Sequence, residues 1–181
     1  MMQDAVAPPD VRARMLRLGG AVALLVIALD QLSKWWILEQ ALPCLSGPPG
    51  PWCVAQTPPI EVTGFFNLVM AWNRGVSFGL FAHEAAFMPY VLIAVALAIT
   101  AFLVLWLRRT GRVYPAVCIG LVIGGALGNV IDRFRFGAVA DFLDFHVAGW
   151  HWPAFNVADS CIVVGVVLLL ADGLFAREEP R

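Results

Sequence analysis

Charged residues are scarce in this sequence, and their scarcity excludes most classes of soluble protein. Only 14% of the 181 residues are charged and 60% are hydrophobic, whereas soluble domains have about 25% charged and about 45–50% apolar residues. The net charge is −1, and the basic residues form no cluster of the kind that binds nucleic-acid phosphates. We therefore expect a protein that is surrounded by lipid and binds no nucleic acid.

Cysteine motifs that bind metals or transfer electrons are also lacking. The four cysteines form no CxxC pair, and the three histidines show no zinc-ligand spacing with them. Cys118 and Cys161 lie within apolar runs and are expected to be buried. Cys44 and Cys53 flank a loop rich in proline and glycine, and they could form a disulfide if that loop faces an oxidising compartment. No metal site is expected.

Long apolar runs are what the sequence does have. The second and third runs reach the roughly 20 residues that a helix needs to cross a membrane, and the first and fourth reach a similar length when the helix continues through the charged residues at their ends. The runs after the first argue against a cleaved signal peptide. We predict an all-α polytopic membrane protein with four transmembrane helices and a small extracytoplasmic β element. Its single domain comprises a cytoplasmic tail at 1–17, spans at 18–38, 86–107, 113–133 and 156–176, extracytoplasmic loops at 39–85 and 134–155, a cytoplasmic loop at 108–112 and a second cytoplasmic tail at 177–181.

The positions of arginine and lysine predict the orientation of the chain. Positive charges collect on the cytoplasmic side of membrane proteins. With the N-terminus inside, eight of the 12 basic residues are cytoplasmic, so both termini should be cytoplasmic. These eight are Arg12, Arg14, Arg17, Arg108, Arg109, Arg112, Arg177 and Arg181, against Lys34, Arg74, Arg133 and Arg135 outside.

Two local patterns add structural detail. The stretch IEVTGFFNLVMAW, residues 60–72, is rich in β-branched and aromatic side chains and predicts a short strand or hairpin in the first outer loop. Gly120, Gly124 and Gly128 recur every four residues in the third span, which is typical of close helix packing.

Polar side chains inside the predicted spans are candidates for function. An ionisable group there costs roughly 2.5–3.5 kcal/mol on insertion scales and normally faces the bundle interior. Asp30 and Lys34 lie four residues apart and can pair, Asn129 and Arg133 have the same spacing, and Asp159 opens the fourth span.

Each of these positions also has a purely structural interpretation. Asp30 and Lys34 could be a self-neutralising pair near the interface, with the lysine extended outward. Asp132 is expected to be a surface partner that pairs with its neighbour Arg133 at the helix end. Asn156 with an acid three residues later fits a helix N-cap.

Asp141 follows the third span and precedes Asp159 by 18 residues. A loop that leaves the outer end of one helix and returns at the next could bring both carboxyl groups to one membrane depth. Two facing carboxylates cannot both ionise comfortably, so one keeps a proton while the other can activate water. This pattern is typical of an aspartic peptidase.

Four blocks of sequence together resemble one family. They are DQLSKWW (30–36), NRGVSFGLF (73–81), GGALGNVIDRFRFGAVADFLDFH (124–146) and FNVADS (155–160). In content, order and intervals they are similar to lipoprotein signal peptidase, or signal peptidase II, an aspartic endopeptidase of the bacterial inner membrane. The resemblance implies that Asp141 and Asp159 are the catalytic pair, one as general base and one as acid. It implies that Asp30, Lys34, Asn73, Asn129, Arg133 and Asn156 line the pocket or support the pair.

The same resemblance implies a substrate and a location. The substrate would be a prolipoprotein with diacylglycerol on a cysteine, cut just before that cysteine near the outer face of the membrane. No metal or organic cofactor is implied, and we expect a monomer among membrane lipids. Residues 60–72 resemble the family's extracytoplasmic cradle, and Val76 to Ala82 its small amphipathic element. Arg74 and Ser77 depart from the usual family pattern.

Two other functions remain as alternatives. A membrane thiol oxidoreductase would use Cys44 and Cys53, although no CxxC motif is present. A proton-coupled transporter would use Asp30 and Asp159, but four spans without an internal repeat would require oligomerisation.

Overall fold

The structure is a computed structural model of the chain, and it describes residues 7–48, 50–75 and 87–175. Four of its helices are long and apolar enough to cross a membrane, as predicted. They are α1 (Pro9–Trp36), continued by a π-helical turn (Ile37–Ala41), α2 (Met88–Leu107), α3 (Val113–Phe136) and α4 (Val157–Phe175). The strands are β1 (Cys44–Ser46), β2 (Ala55–Gln56), β3 (Ile60–Thr63), β4 (Phe66–Asn73), β5 (Val139–Val147) and β6 (Trp150–His151).

Helix α1 begins at Pro9, whereas the sequence predicted a tail to residue 17 and a span from residue 18. Proline fits the first turn of a helix because the N–H it lacks would have no intrahelical partner there. Asp10 in the same turn suits the positive end of the helix dipole. The basic flank of the first span is therefore helical, and one continuous helical segment runs from Pro9 to Ala41.

Helix α3 forms the centre of the bundle. In its most apolar window 67% of the residues are buried, against 28% or less in the other three helices. Buried Met15 and Ala23 of α1, Leu103 of α2 and Ile119 of α3 belong to one apolar core. The outer helices keep exposed leucine and valine side chains, which suit contact with lipid chains.

The glycines of α3 allow this close packing. A Cβ atom at Gly120 would lie 2.5 Å from the carbonyl oxygen of Gly19, and one at Gly124 would lie 2.7 Å from that of Ala23. Both positions face α1, so the glycine spacing predicted from the sequence corresponds to a helix–helix contact. Gly125 packs in the same way against the backbone of α4 at Ala158.

We expect Gly120→Ala to lower the unfolding temperature in detergent, because α1 and α3 would have to separate. Overpacking of this kind costs about 1–3 kcal/mol. The matched control is Gly20→Ala, where a Cβ meets nothing within 4 Å and alanine favours the helix by up to about 1 kcal/mol. Equal unfolding temperatures for the two variants would contradict this account of the α1–α3 contact.

The β element is larger than the sequence predicted. The hairpin β3–β4 falls on the predicted residues 60–72, but the predicted loop 134–155 contains β5 and β6, which extend the sheet to β3-β4-β5-β6. All neighbouring strands are antiparallel. The VADFLDF segment of β5 carries two aspartates, which disfavour strands, so its strand form depends on pairing with the distant β4.

The remaining outer segment contains a small second sheet. Strands β1 and β2 pair there, and Cys44 and Cys53 are joined by a disulfide with their Cα atoms 5.8 Å apart. Of the other two cysteines, Cys118 is buried and Cys161 is half-buried. The amphipathic element predicted at Val76 to Ala82 lies outside the described residues.

Candidate active site

Asp141 lies on β5, where the chain returns over the end of α3. Gly137 ends α3 with φ of 70°, a left-handed conformation that glycine adopts without strain. The turn allows β5 to pair with β4, where Asp141 lies opposite Ala71. Only 2% of the Asp141 surface is exposed. Asp141 therefore occupies a buried position in a strand rather than the predicted loop.

Asp159 lies in the first turn of α4 and closes a helix cap with Asn156. The N–H of Asp159 donates to Asn156 Oδ1 at 2.9 Å, and the N–H of Asn156 donates to Asp159 Oδ2 at 3.3 Å. This is the N-cap arrangement that the sequence predicted. The cap is only part of the role of Asn156, because its side-chain amide also points away from the helix.

Asn156 connects the two carboxyl groups. Its Nδ2 donates to Asp141 Oδ1 at 2.7 Å and lies 3.2 Å from Asn129 Oδ1. Asn129 Nδ2 in turn donates to Asp159 Oδ1 at 2.8 Å. Asn156 is fully buried and Asn129 is 7% exposed. Two asparagines thus hold Asp141 and Asp159 in one connected polar cluster.

The surroundings of Asp141 favour its protonated form. Burial and then the charge of Asp159 raise the pKa of Asp141 to about 7, while Asn73, Asn156 and Lys34 act in the opposite direction. A carboxyl group with this pKa holds a proton for much of the time at neutral pH. A carboxyl pair that carries one proton can supply an acid and a base to the same reaction.

Asp30 and Lys34 form the buried ion pair expected from their spacing. Lys34 Nζ lies 2.8 Å from Asp30 Oδ2 and also 2.9 Å from Asp132 Oδ2. The expectation that Asp132 is a surface partner of Arg133 was wrong, because Asp132 is 1% exposed and pairs with Lys34. Neighbouring helical residues point in different directions, whereas Asp132 shares a face with Asn129, three residues earlier.

The other predicted site residues lie at the edges of this cluster. Arg133 Nη1 donates to the carbonyl oxygen of Asn129 at 3.4 Å. Arg133 and Asn129 also line a groove of about 210 Å³ between α2, α3 and α4, with apolar walls that include Leu92 and Ile162. Asn73, at the exposed end of β4, lines with Asp141 a separate cavity of about 250 Å³.

A second polar cluster on the sheet was not predicted from the sequence. Asp144 Oδ1 lies 2.8 Å from His151 Nδ1, and Asp144 Oδ2 accepts from Asn67 Nδ2 at 3.0 Å. Burial alone would raise the pKa of Asp144, but the hydrogen bonds from His151 and Asn67 outweigh burial and lower it. Asp141 and Asp144 are separated by an odd number of residues on β5 and therefore face opposite sides of the sheet. This relation was not visible in the sequence, because β5 was predicted to be a loop.

A carboxyl pair joined by amides can perform acid–base chemistry without a cofactor. Within residues 7–48, 50–75 and 87–175, no group of three or more histidine, cysteine, aspartate or glutamate residues is placed to hold a metal ion.

Comparison with known proteins identifies a family. The family model described as "Signal peptidase (SPase) II" matches residues 22–175. Proteins named lipoprotein signal peptidase include one from Methylorubrum extorquens, 44% identical over 163 residues that cover 90% of this chain and 88% of that protein. Another, from Rhizorhabdus wittichii, is 41% identical over 170 residues, covering 93% of this chain and 92% of that one.

Solved structures similar to this chain include one described as a bacterial membrane enzyme, determined by the in meso method. It superposes with a TM-score of 0.71 and 26% identity, and the match covers 90% of this chain and 91% of the other. These comparisons lend no support to a thiol oxidoreductase that uses Cys44 and Cys53. The chain therefore belongs to the signal peptidase II family, the multi-pass endopeptidases of the bacterial inner membrane that remove signal peptides from prolipoproteins.

Proposed function

We propose that the chain cuts diacylglyceryl-modified prolipoproteins just before the lipidated cysteine, with Asp141 and Asp159 as its catalytic residues. The observation that carries this proposal is the single cluster in which Asn156 contacts both aspartates. Family membership supports the substrate class. Asn73, Asn129 and Arg133 supply polar groups around the pair.

In the proposed reaction Asp141 is the acid and Asp159 is the base. A water molecule attacks the carbonyl carbon of the scissile bond and gives a proton to the Asp159 carboxylate. Protonated Asp141 donates to the carbonyl oxygen, which stabilises the tetrahedral intermediate. When the C–N bond breaks, Asp159 gives the proton it took from water to the amine of the lipidated cysteine, and Asp141 takes back a proton from the hydroxyl group of the intermediate, so both carboxyl groups return to their starting states. The pKa of Asp141, about 7, supports this division of roles.

We further propose that both termini are cytoplasmic and that the catalytic pair lies near the outer face. Arg112 at the start of α3 forms two hydrogen bonds with Asp172 near the end of α4, at 2.7 and 2.8 Å. Gly111 lies beside Ala7 at the start of α1. The arginine-rich ends thus meet at one end of the bundle, whereas Asp141 and Asp159 lie at the other, and positive ends face the cytoplasm.

The groove between α2, α3 and α4 suits a substrate that stays in the bilayer. Its walls include Leu92, Ile99 and Ile162, and its polar members are Asn129 and Arg133. An apolar segment of the substrate could lie along such walls while its scissile bond reaches the polar cluster. We propose that the prolipoprotein is bound there from within the membrane by a monomeric enzyme.

Cleavage of a purified substrate tests the proposal. We expect the protein in detergent to cut a diacylglyceryl-modified prolipoprotein and to leave unmodified prolipoprotein intact. Mass spectrometry of the product should show the lipidated cysteine as the new first residue. Equal cleavage of both substrates, or a product that begins at another residue, would contradict the proposed specificity.

Because Asp141 is proposed to act as the general acid, cleavage activity should fall at alkaline pH. As pH rises through about 7 the pair loses its last proton, and kcat/KM should fall up to about tenfold per pH unit. The measurement is initial cleavage rate from about pH 6 to about pH 9. A rate that stays constant across this range would contradict the role.

Unfolding does not explain this expected loss. The native state holds the Asp141 proton to a higher pH than the unfolded chain does, because the pKa is raised from 3.8 to about 7. This difference lowers stability as pH rises from 3.8 to about 7 and contributes no further change above that. Thermal unfolding at each pH is therefore the control for the rate profile.

A further inference from the structure

Two buried carboxylates hold the backbone next to the proposed catalytic residues. The N–H of Ala140, just before Asp141, donates to Asp132 Oδ2 at 3.1 Å. The N–H of Ala158, just before Asp159, donates to Asp30 Oδ1 at 3.0 Å. The same type of contact thus occurs at the same relative position on both sides of the site.

Lys34 joins these two carboxylates to each other. Its Nζ lies 2.8 Å from Asp30 Oδ2 and 2.9 Å from Asp132 Oδ2. Gln31 Nε2 makes a second link, with 3.1 Å to Asp30 Oδ2 and 3.0 Å to Asp132 Oδ1. The side chains of Asp30, Lys34 and Asp132 are at most 3% exposed.

We infer that Asp30, Gln31, Lys34 and Asp132, named here the Lys34 brace, set the spacing between Asp141 and Asp159, and that Asp132 is a positioning residue for catalysis. The inference rests on the proposed function of the two aspartates. The brace members lie on α1 and α3 and reach the backbones of β5 and α4. Four elements, of which α1 is distant from the other three in sequence, are therefore connected at the site.

A third contact of Lys34 also leads to the site. Its Nζ donates to Asn129 Oδ1 at 3.2 Å, and Asn129 Nδ2 donates to Asp159 Oδ1 at 2.8 Å. The brace therefore orients the Asp159 carboxylate as well as the backbone beside it. Displacing a reacting group by about 1 Å can lower a rate by about 100-fold.

The charges of the brace are easier to explain by positioning than by stability. Three ionisable groups, two acidic and one basic, are buried together, and removing charges from water is expensive unless the geometry is excellent. In many proteins, replacing such buried charges with neutral or apolar side chains leaves the folded state at least as stable. Fixed charges with several partners instead hold each attached group in one place.

Asp132 offers the sharpest test because its removal leaves the neutral pair Asp30–Lys34 behind. Asp132→Asn keeps an oxygen that can accept the Ala140 N–H and loses the ion pair, whereas Asp132→Ala loses both. Lys34→Met would leave two carboxylates without a cation and is expected to unfold the protein. The two Asp132 variants are therefore the useful ones.

We expect kcat to fall about 10-fold in Asp132→Asn and about 100-fold in Asp132→Ala, with KM for the modified prolipoprotein unchanged. Partial retention in the asparagine variant identifies the Ala140 N–H contact as the group that matters. The matched control is Asp172→Asn, which breaks the Arg112–Asp172 ion pair at the far end of the bundle and should keep wild-type kcat. If Asp132→Ala does not fold, the kcat of Asp132→Asn alone decides.

A folded Asp132 variant that keeps wild-type kcat would refute the positioning role of the Lys34 brace, even if its unfolding temperature is lower. A rise in KM at unchanged kcat also overturns it, because that pattern indicates substrate binding rather than positioning. Parallel assays of Asp141→Asn and Asp159→Asn separate the two hypotheses. Full activity in either of these variants refutes the proposed catalytic pair, whereas their inactivity beside an unaffected Asp132 variant refutes only the brace.

Discussion

Asp141→Asn and Asp159→Asn should each lower kcat for cleavage of modified prolipoprotein by at least about 1,000-fold. Asparagine has nearly the same shape as aspartate but can neither accept nor give up the proton that the reaction moves. Asp141 accepts from Asn156 through Oδ1, and an amide oxygen could keep that contact. The fold should therefore survive, and the loss should be one of chemistry.

The control for this result is Asp144→Asn. Asp144 lies three residues after Asp141 on β5, but its partners are Asn67 and His151. We expect its kcat to remain within about threefold of wild type. Near-normal turnover in either proposed catalytic variant would make that aspartate structural. A comparable loss in Asp144→Asn would indicate that the assay reports damage to the sheet.

Asn156→Asp should be the most damaging substitution of an uncharged side chain in the site. Asn156 is fully buried, and its Nδ2 lies 2.7 Å from Asp141 Oδ1 and 3.2 Å from Asn129 Oδ1. A carboxylate there would replace a donor by an acceptor and add a third carboxyl group beside Asp141 and Asp159. We expect loss of activity by at least about 100-fold and a stability loss of about 3 kcal/mol or more.

The pH dependence of the stability of Asn156→Asp should show whether its added carboxyl group causes the stability loss. The new carboxyl would have a raised pKa in the folded state, so its cost is largest at neutral pH and fades as pH falls toward about 4. Thermal unfolding of the variant and wild type at matched pH measures the difference. Asn67→Asp, which also places a carboxyl beside an aspartate but in the Asp144 cluster, should keep activity. A deficit in Asn156→Asp that did not shrink in acid would contradict this explanation.

The fold was predictable where local sequence determines it. A membrane span depends mainly on the local density of apolar residues, which is why the four helices could be predicted without knowledge of tertiary contacts. The β3–β4 hairpin is also local, because its strands are adjacent in the chain. Strand β5 was not predictable in this way, because residues 139–147 form a strand only against β4, some 70 residues earlier, and carry strand-disfavouring aspartates.

The same distinction between local sequence and long-range contacts applies to the candidate site. Asp141 and Asp159 were predicted because topology and the family resemblance both pointed to them. Asp132 was missed because Arg133 beside it looked like a sufficient partner, although adjacent helical residues point about 100° apart. Its true partner, Lys34, lies on another helix. Contacts between helices depend on how the bundle packs, and span patterns alone do not specify that packing.

Lys34 is the only lysine in the sequence, and its side chain is 3% exposed. Amine-reactive reagents applied to the folded protein should therefore leave this side chain unmodified as long as the site stays closed. Any acylation of Lys34 under native conditions would record a transient opening of the site. The acylation rate of Lys34 would therefore measure how often the site opens locally, without an engineered probe.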